Sequence, residues 1–343
     1  MLRTKTSILL MCLGFMAASC QYIDKKNMKK FEWIPTESAP EEYPVQIHRG
    51  SFECVNGSIV NIASGATMHN GWGNLGSIHI VGKDVKYVPK ILRIEWLSFV
   101  ENQFYQGEFQ LPTEQIIELV KKGYTNGRNG HTTYRTINVG MAPGGNISIW
   151  LMGHDKQKEI AFFKANPTDV SMKVFNPSGI QDRNYYVQST LEEYGLQAAS
   201  NDQKAEYAKW RELYRQEYLY KPVVSFSNEF AVMKNISEEK YNGEYYFISA
   251  DNPKQSQFNK NAVPFKIEIS WQDKKENTYG GRINFDEEEI YAAFDSISEA
   301  NEVPIELKLK VGKYNDSLSI FLENGERSIE LIKSAVKIYT YSH

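Results

Sequence analysis

Residues 89–96 read PKILRIEW and residues 264–271 read PFKIEISW. Each stretch begins with proline, ends with tryptophan and alternates apolar with polar residues in between. A period of two, with many β-branched and aromatic residues, predicts a β-strand that has one buried face. The same predicted strand occurs twice in one chain, which is the first indication that the chain has two halves built alike.

The agreement continues after each of these strands. FYQGEFQLPTEQIIEL at residues 104–119 and TYGGRINFDEEEIYAA at residues 278–293 each predict a second strand followed by a helix. Pro112 and Asp286 stand at the predicted helix starts, and acidic residues follow in the first turn, where the helix dipole favours them. Apolar residues recur at helical spacing on one side of each helix: Ile116, Leu119 and Val120 in the first, and Ile290, Ala293 and Phe294 in the second.

Further strands follow in both halves, in TINVGMAPGGNISIWLMG (136–153) and LKLKVGKYNDSLSIFLENG (307–325). We align Val139-Gly140 with Val311-Gly312. The predicted fold class is therefore α+β, with two related domains that each consist of a mainly antiparallel sheet packed with one helix, joined by a helical linker. Two unrelated domains that share a supersecondary unit are the alternative.

A chain of 343 residues is long for a single hydrophobic core, so two domains are expected. We place the N-terminal domain at residues 31–170, the helical linker at 171–217 and the C-terminal domain at 218–343. In the segment between the halves we predict two helices, broken near residues 199–202 and ended by Pro222. The aromatic residues of the second helix are predicted to pack at the domain interface: Tyr207, Trp210 and Tyr214.

The first residues, MLRTKTSILLMCLGFMAASC, predict an exported lipoprotein. Basic residues precede an apolar core too short to span a bilayer, and small residues precede Cys20 as in a bacterial lipobox. We therefore predict a signal peptide at residues 1–19, lipid attachment at Cys20 and a polar tether at 20–30. Gln21 is not the aspartate that retains many lipoproteins at the inner membrane, so we expect the outer membrane, facing the periplasm. A secretory signal with a chance cysteine is the alternative.

Composition excludes several classes of partner and chemistry. The formal net charge of −3 argues against a nucleic-acid partner. The chain has three cysteines, and Cys54 alone would remain after loss of the signal peptide and lipidation, so no internal disulfide is expected. Cys54 lies in the alternating stretch SFECV, where we expect a buried small hydrophobe.

No motif predicts catalysis, so we predict a protein that is not an enzyme and has no catalytic residues, cofactor or metal site. The six histidines contain no pair at i, i+2 or i, i+4. GMAPGGN has Asn146 where a phosphate loop needs lysine, and a turn explains Pro143-Gly144-Gly145 better. An enzyme whose site is scattered along the sequence is an alternative that the motifs leave open.

The loop GYTNGRNGHTTY at residues 123–134 is the candidate contact with a partner. It is rich in glycine and asparagine, which is typical of an exposed connection, and exposed loops carry binding residues more often than cores do. The candidate contact residues are Tyr124, Arg128, His131 and Tyr134. A solvated hairpin without a partner is the alternative.

Several of these segments resemble one family. IEWLSFVENQFYQGEFQLP (94–112), INVGMAPGGNISIWLMG (137–153) and EIAFFKA (159–165) resemble the bacterial lipoprotein family called domain of unknown function 2931. YRQEYLYKP (214–222) and NFDEEEIYAAF (284–294) resemble its C-terminal part. The resemblance implies a lipid-anchored envelope protein of Gram-negative bacteria and supplies no catalytic residues. Members of the family are often encoded near type VI secretion effectors, which implies an immunity role.

The expected function is a non-catalytic, lipid-anchored envelope protein. Its partners would be the membrane, through the N-terminal lipid, and a protein, with immunity against a type VI secretion effector as the specific form. A structural or assembly lipoprotein of the envelope is the alternative of a different class.

Overall fold

The computed structural model describes residues 29–77, 82–127, 130–200, 203–204, 206–250, 257–298, 303–325 and 327–341. The predicted signal peptide, Cys20 and Arg128 lie outside the described residues. Within them the fold is mainly β, with antiparallel and mixed sheets and a few helices.

The N-terminal half contains one helix, α1 (Thr113–Lys122), and short and long strands in about equal number. The strands are β1 (Lys30–Glu32), β2 (Ile34–Ser38), β3 (Val45–Cys54), β4 (Ile59–Asn61), β5 (Thr67–Met68), β6 (Val85–Tyr87), β7 (Pro89–Ser98), β8 (Gln103–Gln110), β9 (Tyr124–Thr125), β10 (His131–Thr132), β11 (Thr136–Ala142), β12 (Asn146–Met152), β13 (Lys156–Lys164) and β14 (Asn166–Thr168).

The C-terminal half follows a segment with helices α2 (Met172–Phe175) and α3 (Arg183–Glu193) and the 3₁₀ helices Glu206–Trp210 and Leu213–Arg215. Its helix is α4 (Glu287–Ser298). Its strands are β15 (Glu217–Phe226), β16 (Val232–Lys240), β17 (Tyr245–Ser249), β18 (Asn259–Ala262), β19 (Pro264–Gln272), β20 (Thr278–Asn284), β21 (Ile305–Val311), β22 (Leu318–Glu323), β23 (Ser328–Glu330) and β24 (Ala335–Thr340).

Three sheets contain most of these strands. The N-terminal sheet has the order β14-β8-β7-β3-β4, with β5 on β3, and the C-terminal sheet has the order β18-β15-β21-β22-β23. The central sheet has nine strands in the order β2-β11-β12-β13-β17-β16-β19-β20-β24. Strand β13 of the N-terminal half therefore pairs with β17 of the C-terminal half, through Lys156 with Tyr246 and Gln157 with Tyr245.

The order of pairing is the same in the two halves. The run β3-β7-β8-β14 matches β16-β19-β20-β24, and the parallel pair β2-β11 matches the parallel pair β15-β21. Trp96 stands opposite Tyr105, and Trp271 stands opposite Tyr279. A register shift also falls at the same place in each half: β3 has the extra residue His48 next to Trp96, and β16 has the extra residue Lys234 next to Trp271.

Hairpin register corrects one detail of the sequence alignment. The second strands of the two hairpins align through Ile149-Trp150-Leu151 and Ile320-Phe321-Leu322. Val139 stands opposite Ile149, whereas Ile320 stands opposite Leu309 rather than Val311. The Val-Gly pairs that look alike in sequence are therefore displaced by two residues. The turns differ in length: a 3₁₀ turn at Pro143–Gly145 connects β11 to β12, as predicted for a turn that needs glycine, with Gly144 at φ 73°.

Both predicted helices form where the sequence indicates. In α1, Ile116 and Val120 are buried, Leu119 is partly buried, and Gly123 ends the helix with a positive φ of 57°. In α4 the Asp286 carboxylate accepts a hydrogen bond of 2.9 Å from the Glu289 backbone N–H, as an N-cap residue does. The buried residues of α4 include those predicted: Ile290, Ala293 and Phe294.

The second predicted helix of the linker is wrong. Residues 206–215 form two short 3₁₀ helices, and Pro222 lies within strand β15 instead of ending a helix. Proline is tolerated there because β18 pairs with β15 only from Glu217 to Tyr220, so that at Pro222 the strand has a single neighbour, β21.

Buried apolar side chains form one core in each half and a third beneath α2 and α3. Cys54 is buried in the N-terminal core, as predicted, and burial raises the pKa of its thiol. Among the described helices, none has the length and apolar character needed to cross a membrane.

Candidate functional site

A cleft of about 740 Å³ lies where the central sheet passes from one half to the other. The N-terminal half contributes residues from 72–75, 132–136 and 152–157, and the C-terminal half contributes residues from 239–245 and Phe265. Clefts between domains are preferred places for binding sites. We therefore take this cleft as the candidate functional site.

The loop that sequence singled out forms part of one wall. Thr132 and Thr133 line the cleft, and His131 is exposed beside them. Tyr124 and Tyr134 are only 8% and 2% exposed, and their rings pack 5.1 Å apart in the N-terminal core. Each ring is therefore already used in packing, and contact of these two tyrosines with a partner stays a prediction.

At the base of the cleft, backbone from the N-terminal half and backbone from the C-terminal half lie close together around the Gln157 side chain. The Gln157 side-chain amide donates hydrogen bonds to the carbonyl oxygens of Gly73, at 2.9 Å, and Gly243, at 2.5 Å. A Cβ on Gly73 would lie 2.6 Å from the Gln157 amide nitrogen and 2.8 Å from the Gly243 oxygen. Only glycine at position 73 lets the two halves meet across Gln157 in this way.

A carboxylate from the C-terminal half lies beside β13, next to the residues through which β13 pairs with β17. Glu244 lies 2.6 Å from the Lys158 ammonium and accepts a hydrogen bond of 3.2 Å from the Glu159 backbone N–H. Burial, the largest single influence, would lower the pKa of Lys158, but the charge and hydrogen bond of Glu244 together with the charges of Glu217 and Glu159 outweigh it, and the pKa is raised. Lys158 therefore keeps its positive charge, and its contact with Glu244 joins the two halves.

A second ion pair lies beside the first and involves the segment between the halves. The Arg215 guanidinium contacts Glu159 at 2.5 Å, donates to the Ser148 hydroxyl at 2.5 Å and stacks 3.6 Å from the Phe162 ring centroid. Burial raises the pKa of Glu159, and the Arg215 charge opposes that shift. Arg215 therefore offsets part of the free-energy cost of burying the charged Glu159 carboxylate.

Aromatic rings form further contacts between the two halves. We call these aromatic contacts, together with the two ion pairs, the joint. Trp210 lies 5.0 Å from Trp72 and 5.2 Å from Tyr214, and Tyr214 stacks 5.0 Å from Tyr241 of the C-terminal half. Trp72 in turn contacts Trp150 at 4.7 Å. The prediction that the linker aromatics pack at the interface between the halves is confirmed.

Glu238 is a buried carboxyl next to the cleft-lining residue Glu239. Its Oε1 atom has no hydrogen-bond partner among the described residues, and its strand neighbours on the same face belong to the C-terminal core. Burial raises the pKa of Glu238, and the nearby Lys240 ammonium opposes the shift only in part. The neutral form is therefore the one that the folded protein favours.

Replacing Glu238 with glutamine is expected to stabilise the protein above neutral pH. Since the pKa is raised by folding, the stability of the native chain falls as pH rises from the unfolded-state value towards the folded-state value. Glutamine removes that loss, and we expect a gain of about 1–3 kcal/mol at pH 8 that disappears near pH 4. Urea unfolding across this pH range measures the difference. The matched variant Glu330→Gln, at an exposed position, should show no such pH dependence.

Sequence reasoning missed a second polar cluster, on strands β3 and β7 of the N-terminal sheet. The His48 Nδ1 atom lies 2.5 Å from the Glu95 carboxylate, which Arg49 also contacts at 3.1 Å. Although burial raises the pKa of Glu95, these two partners outweigh it and lower the pKa. The bulge that brings His48 beside Glu95 has no sequence signal, which explains why it was missed.

Neither the ion pairs between the two halves nor the cluster around His48 forms a metal site. Within the described ranges no group of three or more histidine, cysteine, aspartate or glutamate side chains is arranged to hold a metal ion. The His154 ring lies 3.5 Å from Asp155 in the turn between β12 and β13, where Asp155 also accepts a bond from the Gly127 N–H. This pair is therefore part of a turn.

The comparison with known families gives one match. The sequence model of the family described as protein of unknown function (DUF2931) matches residues 20–210. The matched range includes the N-terminal half and continues through Trp210, and it ends before β15. No curated protein matches the chain.

Proposed function

The chain belongs to the family of proteins of unknown function DUF2931, and on that premise we propose that it is a non-catalytic, lipid-anchored envelope protein that binds a protein partner. The observation that carries this proposal is the cleft between the two halves. Its walls come from both halves, which two ion pairs and a chain of aromatic contacts hold together.

The lining of the cleft favours a polypeptide as its ligand. Threonine side chains, glycine backbone, the charged residues Arg135, Glu239 and Glu244 and several apolar side chains line it, and among the apolar residues Leu75 is exposed. An apolar anchor surrounded by groups that form hydrogen bonds is the usual composition of a protein interface. A preformed site of this kind binds with little loss of conformational entropy.

The specific partner that we propose is a toxin delivered by type VI secretion. This part follows from the family resemblance, together with the predicted lipid attachment at Cys20. An inhibitor tethered to the outer membrane, facing the periplasm, would stay where a toxin that attacks the envelope acts.

The two halves would be related domains, at residues 31–170 and 218–343, connected by the segment 171–217. Duplication is supported by the matching order of strand pairing and by the register shifts next to Trp96 and Trp271. In this proposal the cleft is a product of the duplication, because one domain supplies each wall.

Growth of a test bacterium that exports each neighbouring gene product to its periplasm tests the function. We expect this protein to rescue growth against one toxic neighbour, and Cys20→Ala to reduce rescue at least tenfold in viable counts, because the inhibitor is no longer concentrated at the membrane. Leu75→Asp should abolish rescue, whereas Val85→Asp, at another exposed aliphatic position, should not.

Two outcomes would contradict the proposal. If no neighbour is toxic or none is neutralised, the immunity role fails. If deletion of the gene instead makes the envelope permeable, the protein is an envelope assembly factor.

A further inference from the structure

Three turns of the C-terminal half meet at one end of the molecule: 227–231, 273–277 and 312–317. We call this surface the C-terminal tip. The Ser227 N–H donates to the Val311 carbonyl at 2.9 Å, and the Lys274 ammonium lies 4.4 Å from the Phe230 ring centroid, so the turns are in contact. Large apolar side chains are exposed there: Phe230 at 48%, Val232 at 59% and Tyr314 at 78%.

The N-terminal half has the equivalent tip, because its strands pair in the same order. Its turns are 39–44, 99–102 and 143–145. Here the linker covers the surface: Tyr43 packs edge-on against Tyr207 at 6.1 Å and against Trp210 at 6.2 Å. The Ala199 N–H also donates to the Val100 carbonyl at 2.8 Å.

The covering segment is recognised through its backbone as well as its rings. The Asn146 side-chain amide donates to the Tyr207 carbonyl at 3.2 Å. Gly144 leaves the space that Tyr207 occupies, since a Cβ on Gly144 would lie 3.3 Å from the Tyr207 side chain. The tip of this fold is therefore a surface on which an aromatic-bearing segment can dock.

Charge on the C-terminal tip does not favour a strongly charged ligand. Lys274, Lys275 and Lys313 are accompanied by four acidic residues in the same three turns: Glu229, Asp273, Glu276 and Asp316. A membrane-binding surface would carry an excess of lysine or arginine around its apolar residues. This balance, together with the exposed aromatic rings, suits a neutral aromatic segment of a protein.

We propose that the C-terminal tip binds an aromatic-bearing segment of the partner protein, as the N-terminal tip binds residues 206–210 of its own chain. The inference rests on the proposed function, because it assigns a docking surface to the partner. It places that surface away from the cleft, so the partner would have two contacts with this protein.

A peptide from the chain itself is the probe for this surface. QKAEYAKWRELYR, residues 203–215, carries the rings that cover the N-terminal tip. We expect the labelled peptide to bind the chain from residue 20 onward in a saturable manner, measured by fluorescence anisotropy. Combined Phe230→Ser and Tyr314→Ser substitutions should weaken binding at least tenfold, as should Tyr207→Ser with Trp210→Ser in the peptide. Tyr185→Ser, at an exposed tyrosine on α3, should leave binding unchanged.

Several outcomes would overturn the inference. The first two are failure of the peptide to bind and peptide binding that the Phe230 and Tyr314 substitutions leave unchanged. The other two are dimerisation, and binding to vesicles of phosphatidylethanolamine with phosphatidylglycerol, that the double variant abolishes. The last two would assign the tip to a second copy or to a membrane. Because the peptide assay does not depend on rescue of growth, the proposed function can fail while the tip still binds, and the reverse.

Discussion

Replacing Arg215 with alanine is expected to lower the free energy of unfolding by about 3–5 kcal/mol. Arg215 contacts Glu159 at 2.5 Å, and both side chains are largely buried, at 16% and 11% exposure. Without the guanidinium, a buried carboxylate would have to remain unpaired or take up a proton. The substitution also removes the donor to Ser148 and the stacking on Phe162.

The pH dependence identifies the cause of this loss. In the Arg215→Ala variant burial still raises the pKa of Glu159, and of the groups that lower this pKa only the Ser148 hydroxyl remains, so the cost of the charged carboxylate is present above the unfolded-state pKa and disappears below it. The deficit in stability should therefore be largest at pH 8 and smaller at pH 5. Chemical unfolding of the wild type and the variant at both pH values measures it.

Two variants serve as controls for the Arg215 result. Arg211→Ala breaks an exposed ion pair with Glu212 in the same segment and should cost less than about 1 kcal/mol. Arg215→Met combined with Glu159→Leu removes both charges and should recover most of the loss, since apolar residues can replace a buried pair at little cost. If Arg215→Ala costs no more than Arg211→Ala, the buried pair does not hold the joint.

The parts of this fold that sequence predicted are those decided by neighbouring residues. Alternation in residues 89–96 and 264–271 predicts strands β7 and β19, because one face of each strand is buried. Local signals also locate α1, which Gly123 ends, and α4, which Asp286 caps. These features need only a few consecutive residues to be specified.

The remaining features depend on contacts between distant residues. Strands β13 and β17 pair across the two halves through two residue pairs, and neither strand carries a signal that names its partner. Because proline commonly ends a helix, the sequence predicted a helix end at Pro222. It carried no signal that the pairing of β18 with β15 ends at Tyr220, before this proline. Strand pairing is decided by tertiary packing, and the intrinsic β-propensity of the residues carries no information about that packing.

The candidate site was predictable only in outline. Sequence placed a partner contact in the loop at residues 123–134, and that loop does supply part of one wall of the cleft, through Thr132 and Thr133. Its tyrosines are core residues, however, because the short hairpin of β9 and β10 turns Tyr124 and Tyr134 inward. In the Glu244 and Lys158 pair, Lys158 comes from β13 and Glu244 from the turn before β17, which no spacing in the sequence brings together.

Replacing Trp210 with alanine is expected to lower the free energy of unfolding by about 3–5 kcal/mol and to separate the unfolding of the two halves. Trp210 is buried and contacts Trp72 and Tyr43 of the N-terminal half as well as Tyr214, whose ring stacks on Tyr241. Alanine would leave a cavity at the one point where these rings meet.

Calorimetry distinguishes a loss of stability from a loss of coupling. With the joint intact we expect a single transition, for which the calorimetric and van't Hoff enthalpies agree, and in Trp210→Ala we expect two transitions. Trp210→Phe keeps an aromatic ring in the joint and should retain the single transition at a smaller cost. If Trp210→Ala still unfolds in one step, the coupling comes instead from the β13–β17 pairing and the Glu244–Lys158 ion pair, and Glu244→Gln should then separate the halves.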